Sequence, residues 1–420
     1  MRGFFVALLA FAASWLAGLL PATAPAEQKF AAPPSLVLIT LDTTRNDAIG
    51  PAPGRPSRTP VLDRLAADGV RFQEAIAPTP LTLPSHASLL TGLDPPEHGL
   101  RDNGSFALPR ELPTLATVLS ERGYETAAFV ATRVLDRRFG LARGFDTYDD
   151  RMVAERTGEY GYPERDAAAV TSAALAWLTE RSLERPYFVW VHYYDPHAPY
   201  AAPGSDPRRS AKERYRDEIA FVDRQIGRLL ASAPGAPADR VVAVVGDHGE
   251  ALGEHGERTH GIFVYRATMV VPLILSGAGV PTGREVGETV AARRLAPTLL
   301  RLLAAPGAGR RSAPGTAVPG TALPGTVLPG LDLGDPPPEA AYSESQMPAR
   351  TYGWSGLTAL SDGDHRLIRA PRPELYEIVS DPDEQNNLVR EQRALAGQLR
   401  DRLLGLEAGF TTHQPLPLAA

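Results

Sequence analysis

The sequence predicts an α/β protein built on a large, mostly parallel sheet, and three observations carry that reading. Residues 35–41, SLVLITL, are apolar from Leu36 to Ile39 and at Leu41, interrupted only by Thr40, as expected of a strand buried on both faces. Val241 to Val245 form a second such run, and the two are followed by Asp42 and by Gly246-Asp247-His248. Elsewhere strand-like runs alternate with helical patterns, which implies a parallel sheet covered by helices on both faces.

The elements follow in chain order. Residues 1–26 read as an export signal: Arg2, an apolar run from Gly3 to Leu20, then PATAPA with a small-x-small site at Ala24-Pro25-Ala26. A periplasmic or secreted location follows. The alternative is an uncleaved inner-membrane anchor, the only case in which the chain would meet a membrane. In TPVLDRLAADGV, residues 59–70, Val61, Leu62, Leu65 and Ala66 share one helical face that Gly69 ends. Residues 79–99 contain a helix in which Pro84 suits a first position and Ala87, Leu89 and Leu90 run on to Gly92. ELPTLATVLSERGYETAAFV reads as helix then strand, 166–179 and 213–230 as helices, and 187–192 as a strand feeding HYYDPH. A catalytic domain is therefore expected over 35–305. Residues 306–338, with tandem PGTAV, PGTAL and PGTVL from Pro314, read as a surface linker, and a small α/β subdomain is expected over 341–405.

Composition bounds the function. Of the 420 residues, 43 are basic and 49 acidic, and the net charge of −6 argues against a general nucleic-acid binder. The chain has no cysteine, which excludes disulfides and lipid attachment at an N-terminal Cys but says nothing about compartment.

Thr82 stands at the mouth of the 79–99 helix, where free backbone N–H groups and a partial positive charge favour an anion, with His86 one turn further on. The plain alternative is a helix cap made by Ser85 or Thr82. Open α/β sheets place ligands beyond the carboxyl ends of their strands. Asp42, Asp247 and His248, delivered by two such ends, match a divalent-metal site. Seven of the nine histidines lie between residues 86 and 260. Of these, His98, His192 and His255 take the structural reading, whereas Asp195, His197 and His260 take the functional one.

LDTTRND, TLPSHASLLTG with PPEHG, HYYDPHAPY, GDHGEALGEHG, THG before VPLIL, and the tail DGDHRLIRAPRPELYEIVSDPDEQNNL, in this order, resemble the sulfatase family of the alkaline phosphatase superfamily. The resemblance implies a three-layer α/β/α sandwich with a small C-terminal α/β subdomain. It implies a metal held by Asp42, Thr82, Asp247 and His248, with Asp195, His197 and His260 as either a second metal site or substrate contacts. Arg45 and Asn103 fall where phosphonate monoester hydrolase-like members hold the ester, and their plain readings are an ion pair and a turn residue. Asp47 reads as a local cap or a partner of a ligand.

One departure sets the expected chemistry. Sulfatases of the usual type read Cys-x-Pro-x-Arg at the nucleophile, the Cys becoming formylglycine. Here Thr82, Pro84 and His86 stand at those positions. A threonine has one hydroxyl and cannot form the geminal diol. It resembles instead the nucleophile of nucleotide pyrophosphatases/phosphodiesterases and the lipid phosphoethanolamine transferases. Thr43 replaces the second Asp of calcium-binding sulfatases, which with His248 shifts preference from calcium to zinc or manganese, as one or two ions. The expectation is an exported hydrolase in which Thr82 attacks a small-molecule, glycan or lipid anionic ester, with His260 and His197 as catalytic groups. Arg45, His86 and Asn103 are the expected substrate contacts. Phosphoesters come first. Sulfuric esters, a phosphoethanolamine-type transferase, and a non-catalytic envelope protein on a sulfatase scaffold are the alternatives.

Overall fold

Register at the carboxyl ends of three neighbouring strands determines where the chemistry of this chain can sit. In the computed structural model, residues 33–418 are described except 52–53, 55, 158–162, 182–183, 305–322, 335 and 337. The expected export signal lies outside them. Eight strands form the main sheet: β1 (Ser35–Leu41), β2 (Gly69–Ile76), β3 (Glu125–Phe129), β4 (Thr147–Asp149), β5 (Tyr187–Tyr193), β6 (Arg240–Gly246), β7 (Val270–Gly277) and β8 (Arg284–Ala291). Their order is β8-β2-β7-β6-β1-β5-β3-β4. Every pairing is parallel except the two made by β7.

Alternation along each strand explains the continuous apolar runs. Leu36 and Leu38 of β1, with Phe188 and Trp190 of β5, pack into one core. There they meet α2 (Thr82–Thr91), α3 (Leu115–Glu121) and, further along the chain, Leu295–Leu302. Val37, Ile39 and Leu41 point the other way, onto α1 (Pro60–Ala67), α4 (Ala167–Glu180) and α5 (Ala211–Ser232). Both faces are buried, so both are mostly apolar. The result is the three-layer α/β/α sandwich that the sequence predicts.

Beyond the sandwich, a four-stranded antiparallel sheet of β9 (Ala341–Ser345), β10 (Leu357–Asp362), β11 (His365–Arg369) and β12 (Glu374–Glu377) packs against the helix Arg393–Gly409. Strand β9 is also tied to the main domain. Ser343 Oγ donates to Ala77 O at 2.9 Å, Glu344 N–H to Pro78 O at 2.9 Å, and Ser345 Oγ to Gly261 O at 2.5 Å. The segments that enter α2 and that follow His260 are therefore anchored by the C-terminal sheet.

The segment 306–338 requires a correction. Its residues 306–322, 335 and 337 lie outside the described part, but the described remainder is not a surface tether. Leu323, Leu328 and Leu331 are buried in the same core as α2. Leu328 N–H donates to Thr298 Oγ1 at 2.8 Å, and Arg294 donates to Val327 O. Proline and glycine exclude helix and strand as expected, yet the leucines ending the last two pentapeptides, Leu323 and Leu328, give an irregular strap an apolar foot. Because Leu328 fills a closed site, Leu328→Ala is expected to cost about 2–4 kcal/mol. Thermal or denaturant unfolding measures it, and a change within about 0.5 kcal/mol, the range of exposed positions, would restore the tether.

Candidate active site

In the register of β1, Leu41 lies opposite Tyr193 of β5 and Gly246 of β6. The next residues, Asp42 and Asp247, therefore emerge together at one edge. Gly246 permits this, since a Cβ there would come within 2.8 Å of Thr44 O. One oxygen of each carboxylate is held by the protein. Asp247 Oδ1 accepts the N–H groups of Thr43 at 3.1 Å and His248 at 2.7 Å. To aim its N–H, Thr43 takes φ +48°, a strained setting for a β-branched residue. Asp42 Oδ2 lies 3.2 Å from His192 Nε2. His192 Nδ1 accepts from Ala131 N–H, so Nε2 carries the proton and donates.

The other oxygens, Asp42 Oδ1 and Asp247 Oδ2, are buried with no hydrogen-bond partner among the described residues. His248 Nδ1 donates to Gly249 O at 3.0 Å, which leaves a lone pair on Nε2, 3.6 Å from Asp247 Oδ2. Ligand atoms of Asp42, Asp247 and His248 all lie within 4.8 Å of one another. Burial, aided by Glu250, raises the Asp42 carboxyl to about 8, and burial with Asp42 raises Asp247 well above its usual range. Lone pairs that converge on one point, on carboxyls whose protons a cation would displace, fit one divalent cation, with the nitrogen and two carboxylate oxygens as donors.

Thr82 Oγ1 is 3.4 Å from His248 Nε2. Thr82 is the first residue of α2, and the residue before it, Leu81, makes no side-chain cap. Neither Thr82 nor Ser85 is the cap. Ser85 Oγ donates instead to Asp247 O at 2.6 Å, pinning the helix to the β6 end. In this first turn Leu83 N–H donates to Asn103 Oδ1 at 2.9 Å, Pro84 has no N–H, and Ser85 N–H bonds Leu81 O. The Thr82 amide is what this turn leaves for an anion, fewer groups than the sequence suggests.

Two more histidines face the cluster. The rings of His248 and His260 are 4.5 Å apart, and those of His260 and His197 5.0 Å. His260 Nδ1 pairs with Glu250 Oε1 at 3.0 Å, and Glu250 Oε2 accepts from Tyr200 OH. Burial alone would lower His260, but Glu250 and Asp42 outweigh it and raise it to about 9. His197, by contrast, is lowered to about 3 by burial and by His260, and its Nδ1 donates to Ala198 O. The site thus carries one imidazolium beside neutral imidazoles.

Three sequence expectations change. His86 does not reach substrate: it is fully buried, its Nδ1 donates to Thr82 O at 2.8 Å, and its Nε2 accepts from Thr40 Oγ1 at 3.0 Å. Trp190 Nε1 in turn donates to Thr40 Oγ1 at 2.9 Å, and burial holds His86 neutral. Arg45 is spent on ion pairs with Asp47 at 2.7 Å and Glu254 at 2.8 Å, and on Glu250 O. That is the plain reading, and it holds the loop that carries Glu250. Asp195 does not join His197 and His260: among the described residues only Asp42, Asp247 and His248 form a metal-sized group. Its Oδ1 accepts the Ala167 N–H at the start of α4. Sequence reasoning missed Glu250, visible only as the last letter of DHGE, and Thr40, which no motif marks, and it gave His192, the first letter of HYYDPHAPY, a structural reading only.

The comparisons agree with this architecture. The family model described as Sulfatase matches residues 34–305. Among curated proteins, the chain is 24% identical to a Delta 4,5-hexuronate-2-O-sulfatase of Bacteroides thetaiotaomicron, over 89% of this chain and 87% of that one. It is 26% identical to the steryl-sulfatase of Mus musculus, over 73% and 68%. Among solved structures, the phosphonate monoester hydrolase of Agrobacterium radiobacter superposes with a TM-score of 0.72 at 22% identity, covering 89% of this chain and 95% of that one. Because the matched region runs from β1 to the end of the Leu295–Leu302 helix and so contains Asp42, Thr82, Asp247 and His248 together, this chain belongs to the sulfatase family.

Proposed function

We propose that this chain is an exported, metal-dependent ester hydrolase in which Thr82 is the covalent nucleophile and phosphoesters are the preferred substrates. The carrying observation is the Thr82 hydroxyl, 3.4 Å from His248 Nε2 beside the buried Asp42–Asp247 pair, in a chain without cysteine. Thr82 Oγ1 attacks the central atom and the alcohol departs on the opposite side. Water then cleaves the Thr82 ester at the same atom. With a single hydroxyl, Thr82 cannot expel the group by collapse of a diol, so the second displacement must occur at the central atom, as in phosphoryl transfer. His260, held by Glu250 and charged, and His197 face the transferring oxygens, and the Asn103 amide, its oxygen tied to Leu83 N–H, offers its –NH2 to the ester. Bound between Asp42, Asp247 and His248, a divalent cation would supply the charge that eases loss of the Thr82 proton and offsets that of the ester. The imidazole donor favours zinc or manganese over calcium.

Thr82→Ala is expected to keep the fold and lose roughly 10³-fold or more in kcat/KM, with Thr82→Ser retaining part of the activity. Mass spectrometry of enzyme quenched with a slow phosphoester should find phosphate on Thr82. Wild-type turnover in Thr82→Ala, or cleavage of sulfate esters alone, would overturn the assignment.

Elemental analysis of the purified protein should find zinc or manganese. Asp247→Asn keeps an oxygen for the Thr43 and His248 N–H groups but drops the charge, so it should lose metal and activity together. Full metal content in that variant would remove Asp247 from the ligand set, and calcium-dependent activity would overturn the donor argument.

Export rests on Arg2, the apolar run and Ala24-Pro25-Ala26. The mature protein should begin at Glu27. A species starting at Met1 that sediments with membranes would establish the anchor instead.

A further inference from the structure

Asn103 lies in a turn, residues 102–105, that its own packing does not fix. Asn103 and Ser105 are exposed, and a Cβ on Gly104 would meet no atom within 4 Å. Exposed turns with few contacts are the parts of a fold that open most readily. Yet Asn103 Oδ1 accepts the Leu83 N–H at 2.9 Å, beside Thr82, and its –NH2 has a defined direction only while the turn stays in place.

The restraint comes from the far end of the chain. Glu344 of β9 is buried, and its carboxylate takes the Arg101 guanidinium in a two-point pair, Nε to Oε1 at 2.7 Å and a second nitrogen to Oε2. Tyr342 OH also donates to Oε2, at 2.9 Å. A buried carboxylate is costly unless paired in this way, and two parallel bonds fix the plane of the guanidinium. The N–H of the same Glu344 holds Pro78 O, on the approach to Thr82. One residue thus spans the segments that lead to Thr82 and to Asn103. Asp102 then closes the turn, its Oδ1 accepting the Ser105 N–H at 3.0 Å, while its Oδ2 accepts from Arg350 of the short helix Met347–Tyr352. The Arg350 guanidinium also stands 5.9 Å from the Phe106 ring, so it touches both ends of the turn.

We infer that Glu344 and Arg350 are positioning residues for the reaction, which set the Asn103 amide against Thr82 through Arg101 and Asp102. The inference rests on the reading of Asn103 as a contact of the ester. Stability alone does not account for the second pair. The Arg350 and Asp102 side chains are partly exposed, and ion pairs in such places add little to folding. Their effect on a reaction is of another size. Loss of one donor to a developing oxyanion costs about 10²–10³-fold in rate, and a displacement of about 1 Å can cost about 10²-fold. A pair too weak to hold a fold together is strong enough to hold one amide in place. The C-terminal sheet therefore completes the site without placing a side chain in it.

The test is a double-mutant cycle read in kcat and KM on nitrophenyl phosphate esters, with thermal unfolding alongside. Arg350→Met keeps an unbranched stem beside Phe106 and removes the charge. It should lower kcat about tenfold with KM within about twofold and an unchanged melting temperature, and Arg350→Lys should recover most of the loss. Asn103→Ala should lower kcat about 10²-fold, and adding Arg350→Met to it should cost nothing further, because both act through one amide. Glu344→Gln should lose at least as much kcat as Arg350→Met; where that buried change prevents folding, the surface variant decides. Losses that multiply in the double variant, or wild-type kcat in Arg350→Met, overturn the positioning role. Wild-type kcat in Asn103→Ala removes the ester contact and this inference with it, while an inactive Thr82→Ala leaves the nucleophile standing. Coupled losses in an enzyme whose Thr82→Ala variant still turns over support the positioning role and overturn the nucleophile instead.

Discussion

The rest of this structure depends on a pair of carboxylates, Asp42 and Asp247, buried side by side at the ends of adjacent parallel strands. Each is fully buried, and each opposes ionisation of the other. Burying a charge without compensation costs several kcal/mol. The protein answers with dipoles: the His192 N–H for Asp42, and the Thr43 and His248 N–H groups for Asp247. Its one full positive charge nearby is His260, and Glu250 shares that. Ionising all three carboxylates against one imidazolium would leave two negative charges over, which the raised Asp42 and Asp247 carboxyls resist and a divalent cation would cancel. A purely structural site would have no use for such a deficit, since apolar residues in the same space would be no less stable.

Geometry elsewhere serves the pair. The 3.2 Å bond from Asp247 N–H to Leu41 O and the 2.9 Å bond from Asp42 N–H to Tyr193 O extend the strand register one residue past β1, β5 and β6. Helix α2 is then locked to this edge from three directions. Asn103 holds its first turn, Ser85 reaches Asp247 O, and His86 grips Thr82 O. Glu344 and Ser345 of the C-terminal sheet fix the chain on either side, at Pro78 and Gly261. The proposed role of Thr82 requires it to be held to a fraction of an ångström, and here the restraint comes from elements more than 250 residues apart in sequence.

What the sequence made legible followed from periodicity and from strand ends. Continuous apolar runs identified β1 and β6 because both faces are covered, and that same regularity marks the acidic residues that follow them as candidate ligands. The misreadings share a cause: long-range partners that leave no local trace. Arg45 and His86 stand in motifs that suggest substrate contact, yet Arg45 is consumed by Asp47 and Glu254, and His86 by Thr40. Asp195 follows a strand as Asp42 does, but the start of α4 lies against it and takes its oxygen. The repeat 314–328 read as a tether because its Pro and Gly content is real. Its buried Leu323 and Leu328 recur every five residues, a period that belongs to neither helix nor strand.

His86 bears on why threonine is suited to this site. An arginine at that position would bring a permanent cation and five donors behind Thr82, into a space fully closed to water. His86 is neutral there, donating once to Thr82 O and accepting once from Thr40, whose oxygen is oriented by Trp190. That chain fixes the Thr82 backbone without adding charge. Positive charge is instead placed in front, on His260, toward the space where the oxygens of an anionic ester would lie. A hydroxyl needs no cation behind it to be held as an aldehyde hydrate would be, but it does need the transferring group to be drawn forward onto it. Dipoles behind and charge ahead meet that need, because preorganised charge acts most strongly where negative charge develops.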